Sequence, residues 1–102
     1  MIILAIWSNL SSKFGNRFDN INLAISYLES YKIKLIKKSS FYETPSYPDK
    51  KNPKFINLVI EVSATLSPQD LASVIILVEK KLDRKRTKKN EPRTCDIDII
   101  DY

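Results

Sequence analysis

Apolar residues recur along this chain with two different periods, and each change of period marks a change of secondary structure. Residues 2–7 form a continuous apolar run, which is typical of a central strand. Residues 17–30 instead carry apolar side chains at every third or fourth position, which predicts an amphipathic helix. A second helix is predicted to begin after Ser67, because serine is a good cap, Pro68 suits the first helical position and helical spacing follows.

Alternation of apolar and polar residues predicts three further strands. The first covers residues 32–38 and continues, with a bend, through residue 42. The second covers residues 55–64, and the last covers residues 94–100. The order strand, helix, strand, strand, helix, strand predicts an α+β protein with the ferredoxin-like βαββαβ fold. In that fold, two helices lie on one face of a four-stranded antiparallel sheet.

Two loops are predicted between these elements. Pro45, Pro48 and Pro53 exclude regular structure between residues 43 and 54. Loops of this length are more often binding loops or lids than simple connections. Residues 83–92 form the second predicted loop, which is rich in lysine and arginine.

Length and composition place the chain among small globular proteins. Its 102 residues suffice for one domain with a single core, and a formal net charge of +5 favours anionic partners without distinguishing nucleic acid, nucleotide or membrane surface. With no histidine and a single cysteine, Cys95, the chain has no zinc ligand set and no internal disulfide, so a reducing compartment is expected. The apolar amino-terminal run is too short to span a bilayer, and we expect a cytoplasmic protein that does not bind membranes.

The last predicted strand carries the clearest candidate chemistry. Its alternation directs Cys95, Ile97 and Ile99 into the core, and it directs Asp96 and Asp98 together to the opposite face. Carboxylates two residues apart on a strand have Cα atoms about 6.5–7 Å apart. This separation suits the binding of Mg²⁺ that is bridged to substrate phosphates.

Basic residues before this strand support a phosphate-binding hypothesis. Residues 84–89 are all lysine or arginine except Thr87, and Arg93 follows them. Carboxylates for a metal beside guanidinium groups for phosphate indicate phosphoryl-transfer chemistry. The alternative is an ordinary half-exposed strand after a solvated loop, since the same alternation of aspartate and isoleucine is typical of both.

Four stretches, taken together and in order, resemble the 6-hydroxymethyl-7,8-dihydropterin pyrophosphokinase family. They are Ser8-Asn9-Leu10 and residues 39–45, 53–57 and 92–99, and the resemblance runs over the whole chain. The last stretch, Pro-Arg-Thr-Cys-Asp-Ile-Asp-Ile, is close to the family signature. The resemblance implies an enzyme of folate biosynthesis, 2-amino-4-hydroxy-6-hydroxymethyldihydropteridine diphosphokinase. Such an enzyme transfers pyrophosphate from ATP to the hydroxymethyl oxygen of the pterin and releases AMP.

The resemblance also implies roles for individual residues. Paired aspartates in the family hold two Mg²⁺ ions that bridge the ATP phosphates, and they match Asp96 and Asp98. The implied catalytic residues are Arg84, Arg93, Asp96 and Asp98. The implied pterin contacts are Thr44, Pro45, Tyr47, Phe55 and Asn57. The implied ATP contacts are Glu79, Arg84, Arg86 and Arg93.

Two of the pterin residues can also be judged from the strand that carries them. Phe55 is equally well explained as an ordinary aromatic at a strand end, packed against the core. Asn57 lies within an apolar strand, where a half-buried carboxamide needs hydrogen-bond partners. A binding role is therefore favoured more strongly for Asn57 than for Phe55.

Three positions depart from the family pattern. Trp7 and Glu91 stand where the family usually has glycine, and Asn90 stands where the family has a tryptophan in its catalytic loop. The family chain also continues beyond the position of Tyr102, where it adds a histidine and further basic and aromatic residues to both substrate sites. We therefore expect residues 1–102 to be one domain that matches the amino-terminal part of the family domain. If the chain is complete, weak or absent catalysis is expected.

The expected partners are ATP and hydroxymethyl-dihydropterin, bound by a monomer that does not bind nucleic acid. Two other functions compete with this one. A basic ferredoxin-like module would bind RNA through strand aromatics and residues 84–89, although the central strands lack the paired aromatics and glycines of an RNA-recognition sheet. A non-catalytic remnant of the family would bind nucleotide without transferring pyrophosphate.

Overall fold

Two helices and five strands follow the predicted order of elements, with one short strand more than the four that the sequence predicts. The computed structural model describes residues 1–8, 16–44, 55–82 and 95–102, and the following statements concern those residues. The elements are β1 (Ile2–Ser8), α1 (Arg17–Ser30), β2 (Lys34–Lys38), β3 (Tyr42–Thr44), β4 (Phe55–Ser63), α2 (Pro68–Lys81) and β5 (Asp96–Asp101). Neither helix of the described ranges has the length and apolar character needed to cross a membrane.

All strand pairs of the sheet are antiparallel, and the strand order is β2-β4-β1-β5. The short strand β3 also pairs with β4, beyond the end of β2. The ferredoxin-like α+β fold is thereby confirmed, with two differences from the prediction. The predicted strand over residues 32–42 is interrupted after β2, and residues 43 and 44, which were predicted to lie in a loop, belong to β3. The bend expected in the predicted strand lies between residues 38 and 42.

Ser39 explains why the edge strand divides. Its backbone N–H donates to the Val59 carbonyl at 2.9 Å, and its Oγ accepts the Val59 N–H at 2.9 Å. The serine hydroxyl thus takes the place of a backbone carbonyl in the ladder. The chain can then turn away from β4 and resume pairing at Tyr42, opposite Asn57, without leaving the Val59 amide unpaired.

One face of the sheet and both helices enclose the core. Along β4, Leu58 and Ile60 are fully buried, whereas the alternating residues Val59 and Glu61 are partly exposed. This alternation shows that the helices cover only one face. The largest fully buried side chains are Leu4, Ile6, Ile21, Leu28, Ile33, Ile56, Leu58, Ile60, Leu71, Val78 and Leu82. Neither helix covers the opposite face of the sheet, which we call the open face.

Ile99 is less buried than Cys95 and Ile97, the other two residues of the last strand that were predicted to point into the core. Cys95 and Ile97 are buried as predicted, but 37% of the Ile99 side chain is exposed. Strand β5 lies at the edge of the described sheet, and its register against β1 shifts between the pairs Leu4–Ile99 and Ile3–Asp101. A side chain beside such an irregularity on an edge strand is not enclosed from its outer side. Ile99 therefore projects to the core face, as its partner Leu4 shows, but it is not buried there.

Side-chain caps define where both helices begin. Asn16 and Asp19 form a reciprocal capping box on α1, with hydrogen bonds of 3.0 and 3.1 Å to each other's backbone amides. At α2, the Ser67 hydroxyl accepts the Asp70 N–H at 3.2 Å, which confirms the predicted cap. These local bonds fix the helix ends without contributions from the sheet.

The carboxyl end of α2 is held against α1 by a cation between two aromatic rings. The Lys81 ammonium lies 5.1 Å from the ring centroids of both Tyr27 and Tyr31. Each such contact contributes about 0.5–1 kcal/mol at an exposed site. The pair of contacts therefore helps to fix the orientation of the helix that carries Glu79.

Helix α1 ends in a Schellman motif whose left-handed residue is a lysine. Lys32 has φ 65°, its N–H donates to the Glu29 carbonyl at 3.0 Å, and the Ile33 N–H donates to the Leu28 carbonyl at 3.3 Å. Glycine usually occupies this position, because a side chain in the left-handed region costs about 1 kcal/mol. Ile33 and Leu28 are both buried in the same core cluster, which agrees with the apolar contact that usually accompanies the motif.

We expect the substitution Lys32→Gly to raise the free energy of unfolding by about 0.5–1 kcal/mol, because relief of the left-handed strain exceeds the extra entropy of glycine in the unfolded chain. Urea unfolding followed by circular dichroism measures the change. Lys34→Gly is the matched control on the exposed edge strand β2, and it is expected to destabilise the protein. A loss of stability in Lys32→Gly equal to that of the control would contradict the prediction.

Candidate active site

A row of four side chains crosses the open face at one end of the sheet. Tyr42 on β3 is the register partner of Asn57 on β4, Asn57 is the partner of Trp7 on β1, and Trp7 is the partner of Asp96 on β5. Side chains of directly opposed residues project to the same face, with Cβ atoms about 4.5–5.5 Å apart. The row therefore brings together an amide, an indole and a carboxylate that are far apart in the sequence.

Two carboxylates lie on the open face at the Asp96 end of this row. Asp96 is opposite Trp7 and Asp98 is opposite Ala5, so the two side chains project from the same face of the edge strand, as their spacing predicts. Asp96 is only 5% exposed, whereas Asp98 is exposed. One carboxylate thus lies against the protein and the other reaches solvent.

The carboxylate pair suits a cation that takes its remaining ligands from elsewhere. Among the residues that the structure describes, no group of three or more His, Cys, Asp or Glu side chains is placed to enclose a metal ion. Mg²⁺ prefers oxygen ligands, and it is commonly held by one or two carboxylates together with waters and substrate phosphates. Asp96 and Asp98 therefore fit a magnesium site of the kind that forms together with a nucleotide.

Asn57 is a buried carboxamide whose orientation is fixed by its neighbours. Its Nδ2 group lies 2.9 Å from Thr44 Oγ1, 3.2 Å from the Tyr42 carbonyl and 3.4 Å from the Phe55 carbonyl. Backbone carbonyls only accept hydrogen bonds, so the group that faces them must be the NH₂. The Oδ1 atom is the remaining acceptor, and a ligand at Asn57 is therefore expected to donate a hydrogen bond to it.

Thr44 and Phe55 lie near Asn57, at the two ends of the predicted binding loop. They are register partners in the β3–β4 pair, and both are partly exposed. Because Phe55 and Asn57 are two residues apart on one strand, they share the open face. The structure thus groups three of the five residues that the sequence implied for the pterin.

Glu79 lies beside the strand that carries the carboxylates. It is only 3% exposed, and its Oε2 accepts the Ile97 N–H at 3.0 Å. Ile97 is the residue between Asp96 and Asp98, so this hydrogen bond from α2 acts directly on the backbone that carries both aspartates. Charge-assisted hydrogen bonds of this kind are stronger than those between neutral groups.

Part of the predicted site lies outside the described residues, namely Pro45, Tyr47, Arg84, Arg86 and Arg93, and so do two of the departures from the family pattern, Asn90 and Glu91. The structure does bring Thr44, Phe55, Asn57, Asp96 and Asp98 to one face of the sheet. Trp7 also belongs to this row. In the sequence, Trp7 was noted only as a departure from the family pattern. The apolar composition of β1 gave no sign that Trp7 would lie between Asn57 and Asp96, since this depends on strand register.

Comparison with known proteins gives a consistent result. Residues 3–102 match the family described as 7,8-dihydro-6-hydroxymethylpterin-pyrophosphokinase (HPPK). The chain is 35% identical over 97 residues to the 2-amino-4-hydroxy-6-hydroxymethyldihydropteridine pyrophosphokinase of Aquifex aeolicus, covering 95% of this chain and 60% of the relative. The enzyme of the same name from Bacillus subtilis is 30% identical over 92 residues, covering 89% of this chain and 55% of the relative.

A longer relative also matches nearly the whole chain. The folic acid synthesis protein fol1 of Pneumocystis carinii is 36% identical over 98 residues, which are 96% of this chain and 13% of the relative. The chain thus spans at most 60% of the length of these three relatives.

Proposed function

Because the chain belongs to the 7,8-dihydro-6-hydroxymethylpterin-pyrophosphokinase family, we propose that it acts in folate biosynthesis. The reaction transfers pyrophosphate from ATP to the hydroxymethyl group of 6-hydroxymethyl-7,8-dihydropterin and yields AMP. We place this activity in the cytoplasm and in a monomer. We also propose that residues 1–102 form one domain equivalent to the amino-terminal part of the family domain.

The observation that carries the proposal is the position of the carboxylate pair relative to Asn57. Asp96 and Asn57 both flank Trp7 in the same row, and Asp98 lies on the same face of β5. A nucleotide phosphate chain held at the carboxylates would therefore lie next to a heterocycle held at Asn57. Holding two reactants side by side in this way supplies a large part of the rate enhancement in phosphoryl transfer.

Each proposed residue has a task that its chemistry supports. Asp96 and Asp98 would hold two Mg²⁺ ions, which offset charge on the attacking and leaving oxygens when bound. Asn57 would accept a hydrogen bond from the pterin, with Thr44, Pro45, Tyr47 and Phe55 completing that site. The basic residues Arg84, Arg86 and Arg93 would neutralise ATP phosphates, and bidentate guanidinium contacts suit this role.

Glu79 was predicted to contact ATP, but its hydrogen bond with the Ile97 N–H indicates an indirect role. The carboxylate is buried and accepts a hydrogen bond from the backbone of β5. We propose that Glu79 acts on ATP through β5, by positioning the strand that carries the metal ligands. A direct contact with ATP is less favourable, because the negative charge of the carboxylate would repel the phosphates.

The open face also supports the enzyme proposal over an RNA-binding module. Asp96 and Asp98 project from this face on β5, whereas Glu61 on β4 is opposed by Lys37 of β2. Carboxylates repel a phosphate backbone in the absence of a cation. The β5 end of the face thus suits a metal-bridged nucleotide better than it suits RNA.

The proposal is tested by incubating the chain with ATP, Mg²⁺ and hydroxymethyl-dihydropterin and separating the nucleotides by chromatography. We expect AMP and pyrophosphorylated pterin in equal amounts, and no AMP when either the pterin or Mg²⁺ is omitted. ADP as the nucleotide product would contradict the proposed reaction. Binding of both substrates without AMP would instead identify a remnant that binds nucleotide without catalysis.

A further inference from the structure

Trp7 occupies the centre of the candidate site. Its two register partners are Asn57 on one side and Asp96 on the other. Its sequence neighbours Ile6 and Ser8 are fully buried on the helix side of β1, and therefore the indole projects from the open face. Trp7 is itself partly exposed, so one part of the ring remains accessible.

The row also sets the distance between the two polar ends of the site. Neighbouring strands in a sheet lie about 4.8 Å apart, so Asn57 and Asp96, two strands apart, are separated by roughly 10 Å across Trp7. A fused two-ring heterocycle with a one-carbon substituent is of comparable length. Such a molecule could lie over the indole with one edge at the Asn57 amide and its substituent at the Asp96 carboxylate.

The burial of the two partners is consistent with an indole that lies between them. Asn57 is 8% exposed and Asp96 is 5% exposed, although both project from the face that the helices leave uncovered. Trp7 is the residue directly opposed to each of them. A large flat side chain in this position excludes water from the sides of both polar groups and leaves a flat apolar surface between them.

We propose that Trp7 is the stacking platform of the site and determines its specificity for a flat nitrogen heterocycle that donates a hydrogen bond to Asn57. This inference rests on the proposed function, in which that heterocycle is the pterin. The ring would lie on the indole, Asn57 Oδ1 would accept from its N–H edge, and its hydroxymethyl group would reach the phosphates held at Asp96. Trp7 thus sets the orientation of the acceptor relative to the nucleotide.

Two variants test this role by calorimetry with 6-hydroxymethylpterin, Mg²⁺ and a non-hydrolysable ATP analogue. Trp7→Phe keeps an aromatic ring and is expected to retain pterin affinity within about threefold. Trp7→Leu keeps apolar bulk but no aromatic face, and its dissociation constant for the pterin is expected to rise about tenfold or more, the range measured for stacked bases. Affinity for the ATP analogue is expected to change by less than about twofold in both variants.

Fluorescence gives an independent readout, because Trp7 is the only tryptophan of the chain. Stacking is expected to quench its emission on addition of the pterin, after correction for absorption with free N-acetyltryptophanamide. The Asn57→Leu variant removes the acceptor and is expected to weaken this quenching. Urea unfolding of every variant shows whether a loss of binding follows from a loss of folding.

The outcomes separate this inference from the function on which it rests. If Trp7→Leu binds pterin as tightly as the wild type, or more tightly, Trp7 is not the stacking platform, and the proposed function is unaffected. If the wild type does not bind pterin but its Trp7 emission is quenched by AMP or GMP, the platform stands and the proposed substrate is wrong. Absence of quenching by all three heterocycles would overturn the platform.

Discussion

Replacing Asp96 or Asp98 by asparagine is expected to lower the rate of AMP formation by about a thousandfold, which corresponds to ~4 kcal/mol of transition-state stabilisation. Asparagine has the same shape as aspartate but no charge, so it is a poor ligand for Mg²⁺. Asp98 is exposed, whereas Asp96 is buried and both carboxylates already have interaction partners. Urea unfolding of both variants therefore accompanies the assay, and it shows whether a loss of metal binding follows from a loss of folding.

The measurement has two readouts, so that a loss of metal binding can be distinguished from a loss of catalysis. The first is AMP formation with saturating pterin, and the second is Mg²⁺-dependent binding of a non-hydrolysable ATP analogue by calorimetry. Asp101→Asn is the matched control, since Asp101 is on the same strand and exposed, but pairs with Ile3, away from the Trp7 row. Nucleotide binding that still depends on Mg²⁺ in both the Asp96→Asn and the Asp98→Asn variant would show that the metal site lies elsewhere.

The substitution Glu79→Ala is expected to lower the free energy of unfolding by about 3 kcal/mol. Removal of the carboxylate leaves the buried Ile97 N–H without its acceptor, which costs about 1–3 kcal/mol, and the loss of buried methylene groups adds to this. Since total stabilities are about 5–15 kcal/mol, such a loss is large for a domain of this size. The largest local effect is expected in β5, between the two aspartates.

Urea unfolding measures the total change, and amide hydrogen exchange at Ile97 measures the local one. Glu79→Gln keeps an oxygen acceptor and is expected to lose only about 1 kcal/mol. Lys80→Ala, at the exposed neighbouring position of α2, is the control for helix effects and is expected to leave Ile97 protected. Equal stability of the Glu79→Ala and Lys80→Ala variants, with unchanged Ile97 exchange, would show that Glu79 does not position β5.

Much of the fold could be predicted from short-range patterns. The bounds of α1 agree with its predicted range, and α2 begins at Pro68 behind the predicted Ser67 cap. Both are local properties, since helix spacing and capping involve residues within one turn of each other. The shared face of Asp96 and Asp98 was predictable for the same reason, because alternation along a strand depends only on the strand itself.

Other features depend on residues that are distant in the chain. The exposure of Ile99 follows from an edge position and a register shift, and neither leaves a sign in the local pattern. The division of β2 from β3 follows from the hydrogen bonds between Ser39 and Val59, which are 20 residues apart. The contact of Glu79 with the Ile97 amide likewise requires that α2 and β5 pack together.

The sequence by itself determined the elements, the class of fold and, by resemblance, the residues that carry the proposed chemistry. Only the tertiary structure decided that Tyr42, Asn57, Trp7 and Asp96 form one row. The physical reason is that strand order and register are set by long-range pairing and by burial of one face, whereas propensity and periodicity act over a few residues. The same pairing placed Trp7, which the sequence marked only as a departure from a pattern, between the amide and the carboxylate of the candidate site.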